Sequence, residues 1–130
     1  RDTLDFSFSG LKTSVRTFLE RRGKDFAEAH MADLLASFQE AVVESLLIKL
    51  SRAVGKTGIR RIVVCGGVAA NSRLRASLKR MAEEESLEIH IPSPALCTDN
   101  AAMIAAVGYR YLQAGRISPL SLNAQANLLL

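Results

Sequence analysis

Tryptophan is absent from the 130 residues, and tyrosine (two) and phenylalanine (five) are sparse. That leaves little material for an aromatic platform on which unpaired bases stack. Cysteine occurs only at Cys65 and Cys97. Two cysteines so far apart make neither a disulfide scaffold nor a Cys-x-x-Cys metal knuckle, and a reducing, cytoplasmic setting is expected. His30 and His90 are lone histidines, and position 34, one helical turn after His30, is Leu34. No HxxxH or HExxH pair forms, which leaves a zinc-endopeptidase reading weak. The uncharged apolar run 100–109 is about half of the ~20 residues that a membrane span needs. No apolar segment of signal-peptide type follows Arg1-Asp2-Thr3. The missing initiator methionine leads us to expect a piece of a longer protein.

What is present fits a single domain over 1–130. Apolar residues at 48% against 23% charged give enough surface to bury, so disorder is excluded. Seventeen lysines and arginines against 13 acids leave a net charge of +4. A balance so mildly basic permits contact with nucleic acid without requiring it.

The order of elements follows from periodicity. Asp5-Phe6-Ser7-Phe8-Ser9 alternates and predicts a short edge strand or turn before Gly10. Leu11, Val15, Phe18 and Leu19 then predict a helix that Arg21-Arg22-Gly23 closes. A long helix over about 25–54, capped by Asp25 and ending near Gly55, follows from Met31, Leu34, Leu35, Phe38, Val42, Leu46 and Leu50. Its other face, with Asp33, Glu40, Glu44 and Lys49, reads as solvated. The continuous run Ile62-Val63-Val64-Cys65 predicts a parallel strand buried on both faces. A helix from about Asn71 turns Leu74, Leu78 and Met81 inward and Arg73, Arg75, Lys79 and Arg80 mostly outward. Residues 87–91 alternate as a second strand. After Pro92-Ser93-Pro94, Thr98-Asp99-Asn100 starts an Ala-rich helix to about Ala114, apolar nearly all round and therefore expected to be buried. The chain is thus α/β, with a parallel strand–helix–strand unit flanked by long helices. A right-handed crossover puts the loops after both strands at the same edge of the sheet, where open α/β sheets bind ligands.

Gly55-Lys56-Thr57 suggests a phosphate loop, but position 50 is Leu50 and the tripeptide follows a helix rather than a strand. It is a helix end. Gly66-Gly67-Val68-Ala69-Ala70-Asn71 joins strand to helix. Its glycines allow close approach to the backbone and the helix start offers N–H groups to an anion, whereas Asn71 alone can equally be a plain N-cap. Asp99 is either a capping residue or a metal or ligand carboxylate. His30 and His90 read as surface or interface residues, and Cys65 and Cys97 as packing residues.

Three blocks carry a resemblance. Asp5-Phe6-Ser7-Phe8-Ser9-Gly10-Leu11-Lys12-Thr13, Gly66-Gly67-Val68-Ala69-Ala70-Asn71 and Cys97-Thr98-Asp99-Asn100-Ala101-Ala102-Met103-Ile104 resemble, in order, signatures of the tRNA N6-adenosine threonylcarbamoyltransferase family in its bacterial form. That family was once called O-sialoglycoprotein endopeptidase or glycoprotease. The resemblance implies an actin-like, sugar-kinase-type ATPase fold of two lobes, with this chain as most of the C-terminal lobe. It implies transfer of a threonylcarbamoyl group from threonylcarbamoyl-adenylate to an adenosine beside the tRNA anticodon, with small partner proteins. Asn71, with Gly66 and Gly67, would meet the adenylate or an ATP-like nucleotide. Asp99 would be one ligand of a divalent metal, iron or zinc. The histidines that complete that metal site belong to the family's N-terminal lobe, so this chain is expected to hold metal weakly and to be inactive alone. No catalytic residue is assigned. The family's Arg-Trp-Pro-Leu-like tail is replaced by Ala126-Asn127-Leu128-Leu129-Leu130. The alternatives are a non-catalytic nucleotide-binding or partner-docking module of the same fold and, on the older name, a metallo-endopeptidase.

Overall fold

A computed structural model describes residues 3–124; the atypical tail 126–130 lies outside the described residues. In order, the elements are α1 (Phe8–Arg22), α2 (Lys24–Ala29), α3 (Met31–Thr57), β1 (Arg61–Val63), α4 (Ser72–Glu85), β2 (Glu88–His90) and α5 (Ala101–Gln113). Short 3₁₀ turns at Gly67–Ala70 and Pro94–Leu96 follow the two strands. The strands pair in parallel with Ile62 opposite Ile89, so the expected strand–helix–strand unit is present. Among the described residues, no helix is long and apolar enough to cross a membrane.

The core lies where α3 and α4 meet over one face of this sheet. Val43 of α3 and Leu74 and Leu78 of α4 are buried together, with Leu46, Leu47, Leu50, Val64, Ile89 and Ile91 packed around them. Leu74, Leu78 and Met81 are buried on one stripe of α4, as the periodicity predicted, and Ser77 is buried with them. Ser77 is a polar group in that stripe, and its hydroxyl accepts from Arg73 Nη1 at 2.9 Å.

Arg73 also spans the two helices. Its guanidinium holds Glu40 of α3 in a two-pronged pair, Nε to Oε2 at 2.7 Å and Nη2 to Oε1 at 2.5 Å. The face read as solvated is therefore partly an interhelical one. Arg73 and Arg75, placed outward by the sequence, are half-buried and bonded, because helix α3 and the loop after β1 both lie beside α4. The Arg73 hydrogen bond, with the guanidinium charge, holds the Glu40 carboxyl below its ordinary value of 4.5. A carboxyl whose folded-state pKa is depressed stabilises the fold above its unfolded value and loses that contribution as pH falls through the folded value. The melting temperature should thus decline below about pH 4.5, and Glu40→Gln should flatten that part of the profile in acid melts. An unchanged slope in Glu40→Gln would assign acid sensitivity to other carboxyls. One such group is Glu88, also lowered, by Arg61 first and His90 second.

Several expectations fail for identifiable reasons. Residues 3–7 form no strand; they find no partner strand, and α1 starts at Phe8. The long helix is broken at His30 (φ −117°, ψ 21°), so Asp25 sits in the first turn of a separate α2 whose N-cap is Gly23, without a side-chain cap. No proline or glycine makes this break. Instead α2 packs back on α1, with Phe26 edge-on to Phe18 at 6.0 Å and against His30 at 4.4 Å, and Arg22 over both phenylalanine rings. Helix α3 runs through Gly55 and stops at Gly58, whose left-handed conformation (φ 68°) supplies the C-cap. Strand β1 is not buried on both faces: Val63 is 68% exposed, because a two-stranded sheet has helices on one side only among the described residues. Cys65 is exposed for the same reason, whereas Cys97 is buried as expected. Helix α5 is exposed at every residue, so its apolar composition does not reflect burial within the described residues.

Candidate functional site

Parallel pairing sends both strands out at one edge of the sheet. The 3₁₀ turn at Gly67–Ala70 packs there against the one at Pro94–Leu96. The two loops that the crossover rule singled out are therefore neighbours.

In the first loop Gly66 has φ 92° and ψ 170°, a region that only glycine occupies without strain of about 1–3 kcal/mol. Gly67 is different. A Cβ built on it would meet no atom within 4 Å, and its φ is ordinary. The turn needs glycine at 66 for its backbone, while the space above Gly67 is open.

Asn71 ends the turn and begins α4. Its Oδ1 accepts from the Leu74 N–H at 2.9 Å, so the capping reading holds. Its Nδ2 donates to Gln39 Oε1 at 2.9 Å. An amide side chain has two donor hydrogens and two acceptor lone pairs, so one of each remains for a ligand. Capping and binding are compatible at this residue. Asn71 lines a cavity of about 200 Å³ with Phe38, Gln39, Val42, Val43 and Val68, between α3 and the glycine turn.

In the second loop, Asn100 rather than Asp99 caps α5, accepting from Met103 N–H at 3.0 Å. Asp99 is exposed, and the cap function that competed with its ligand function belongs to its neighbour. Among the described residues, no three histidine, cysteine or acidic side chains stand close enough to share a metal ion. A zinc ion takes about four ligands and an octahedral ion six. The donor set of the described residues therefore does not fit a metal by itself. His30 is exposed beside Asp33, and His90 is exposed and paired with Glu88 at 2.9 Å; neither joins the loops in such a group.

Gln39 and Arg75 also belong to this edge, and sequence reasoning did not find them. Gln39 comes from α3, more than 30 residues before its partner, and no spacing rule links the two. Arg75 looked like one of four outward cations of α4. Its Nη1 instead donates to the Ala69 carbonyl at 2.9 Å and lies 3.8 Å from Cys97 Sγ.

Comparison with known proteins places the chain. The family model described as tRNA N6-adenosine threonylcarbamoyltransferase matches residues 2–106, which takes in all three signature blocks. A curated relative of that name from Syntrophus aciditrophicus is 47% identical over 124 residues, covering 95% of this chain and 37% of the relative. Another from Clostridium beijerinckii is 46% identical over 127 residues, covering 98% and 38%. A third, from Kosmotoga olearia, is 49% identical over 124 residues, covering 95% and 36%. The chain thus spans less than two-fifths of the length of these relatives.

Proposed function

Because the chain belongs to the tRNA N6-adenosine threonylcarbamoyltransferase family, we propose that it forms the nucleotide-binding C-terminal lobe of such an enzyme. The fold is read as one lobe of an actin-like, sugar-kinase-type ATPase, with residues 1–130 a single domain. The observation that carries this reading is the meeting of two loops at one sheet edge. One offers an open glycine backbone and a half-satisfied amide, the other an exposed carboxylate.

In this reading Gly66 and Gly67 let the adenylate phosphate come down on the backbone at the start of α4, where N–H groups and the helix dipole favour an anion. Asn71 uses its remaining donor and acceptor on the nucleoside, without giving up the cap. The threonylcarbamoyl group leaves the adenylate as the exocyclic amine of the tRNA adenosine attacks its carbonyl carbon. A carbon–nitrogen bond forms, the carbon–oxygen bond to AMP breaks, and the amine loses a proton. A divalent metal, iron or zinc, would polarise oxygens in that step when bound. Asp99 would be one of its ligands, and the others would come from outside this chain. The tRNA and small partner proteins complete the assembly, in the cytoplasm, and this chain alone is inactive.

Titration of the chain with ATP by calorimetry tests the nucleotide reading. We expect measurable binding, and Asn71→Ala should weaken it about tenfold. The same variant removes the cap, costing ~1 kcal/mol of stability, so its melting temperature is recorded alongside. A folded Asn71→Ala chain with unchanged ATP affinity would return Asn71 to a purely structural role.

A further inference from the structure

We infer that Arg75 is a positioning residue that latches the loop after β1 to the loop after β2 and so sets the distance between the groups that face the nucleotide. This rests on the nucleotide reading above. Each loop is short and largely exposed apart from Ala69 and Cys97, and a 3₁₀ turn of three or four residues has little cohesion of its own. Between them stands one guanidinium. Arg75 Nη1 donates to the Ala69 carbonyl at 2.9 Å, and Ala69 is 1% exposed at the centre of the glycine turn. The same nitrogen is 3.8 Å from the Cys97 sulfur, which is 4% exposed. Cys97 in turn donates to the Ser93 carbonyl at 3.4 Å and lies 3.7 Å from the Pro92 carbonyl. A continuous chain of contacts therefore runs from Ala69 through Arg75 and Cys97 to the Pro92-Ser93 segment. Asn71 follows two residues after Ala69, and Asp99 two residues after Cys97. The spacing of those two side chains is set through this tie.

Hydrogen bonds from a charged donor are stronger than neutral ones. The residues that accept here, Ala69 and Cys97, are themselves buried, so losing the donor leaves acceptors with reduced access to other partners. Arg75 begins on the second turn of α4, whose buried face anchors in the core. The latch thus refers both loops to a rigid helix, which is how a binding constellation is held within the required tolerance. Both contacts come from one nitrogen, so a lysine ammonium can make them in turn. Arg75→Lys is the rescuing variant.

The test uses the full 130-residue chain, with two readouts on wild type, Arg75→Met, Arg75→Lys and Asn71→Ala. Alkylation by iodoacetamide, resolved by peptide mass spectrometry, reads the latch at Cys97 with exposed Cys65 as internal reference. Titration with ATP reads the site. Arg75→Met should speed Cys97 alkylation at least tenfold relative to Cys65 and weaken ATP binding about tenfold, and Arg75→Lys should recover most of both. Unchanged Cys97 reactivity in Arg75→Met overturns the latch. A reactive Cys97 with ATP affinity within twofold of wild type overturns the positioning role and leaves a structural bond only. Should Arg75→Met fail to fold, Arg75→Gln takes its place on the same criteria. If the wild-type chain binds no ATP, the nucleotide reading fails and the positioning role fails with it, whatever Cys97 does. If it binds ATP but Asn71→Ala does not weaken binding, Asn71 is structural and the positioning role, which acts on its spacing, is overturned. If Asn71→Ala weakens binding and Arg75→Met does not, this inference alone is wrong.

Discussion

Leu78→Ala should destabilise the chain by about 2–5 kcal/mol and lower its melting temperature by roughly 10 °C or more. Leu78 is 2% exposed and stands between Val43, also 2%, and Leu74, 3%. These three side chains are the buried contact of α3 with α4, and Leu46, Leu47 and Leu50 of α3 with Val64, Ile89 and Ile91 at the strands close around them. Removing three carbons from the middle leaves a void that two rigid helices can only partly fill. Against a net stability of roughly 5–15 kcal/mol for a domain, the loss is a large share. Val63→Ala is the matching control, since Val63 is 68% exposed and should change stability by no more than about 0.5 kcal/mol. Urea unfolding of both variants measures the difference. A loss below about 1 kcal/mol for Leu78→Ala would mean that α3 and α4 do not carry the core.

The α4 side of that core was legible in the sequence because it is written in local periodicity, whereas on α3 the buried residue is Val43 rather than the expected Val42, and Met31 and Leu35 of the expected stripe are exposed. Leu74, Leu78 and Met81 repeat at the helical spacing, and the short apolar runs around 62–65 and 87–91 announce two strands with a helix between them. Parallel pairing followed from the crossover, and from parallel pairing came the shared edge that holds Gly66, Gly67, Asn71 and the Asp99 loop. What the sequence left unread depends on contacts between distant segments. The break at His30 is made by α2 packing on α1 through Phe18 and Phe26, and helical periodicity continues across it undisturbed. Helix α5 has the composition of a buried helix and is exposed throughout, since composition records what a segment is able to bury rather than what is near it. Arg73 and Arg75 read as mostly outward and Gln39 drew no reading, yet all three are tertiary ties. Polar side chains of that kind carry no sequence period. Asp99 was the expected cap, yet Asn100 caps α5, since either side chain can accept from the first turn and only the geometry selects between them.

Gly67→Val should reduce ATP affinity by tenfold or more, about 1.4 kcal/mol for each factor of ten, while leaving the fold almost unchanged. The glycine pair at the carboxyl edge separates two demands that are usually confounded. At Gly66 the backbone requires glycine, because φ 92° with ψ 170° excludes a Cβ. Gly66→Ala should therefore lower stability by about 1–3 kcal/mol, and any loss of binding in it is ambiguous. At Gly67 the backbone makes no such demand and the protein itself puts no atom within 4 Å of a new Cβ. A Cβ there meets no non-neighbouring atom of the described residues, so a loss of binding points to the ligand's approach rather than to a clash at that carbon. The branched methyl groups of valine would stand where an adenylate phosphate approaches the turn, and the N–H groups behind them would be screened from it. Thermal melts and ATP titrations on wild type, Gly66→Ala and Gly67→Val give the comparison. Loss of affinity in Gly67→Val at an unchanged melting temperature identifies the open space above the turn as the ligand's place. Full affinity in that variant would mean that the nucleotide, if it binds, does not come down on this backbone.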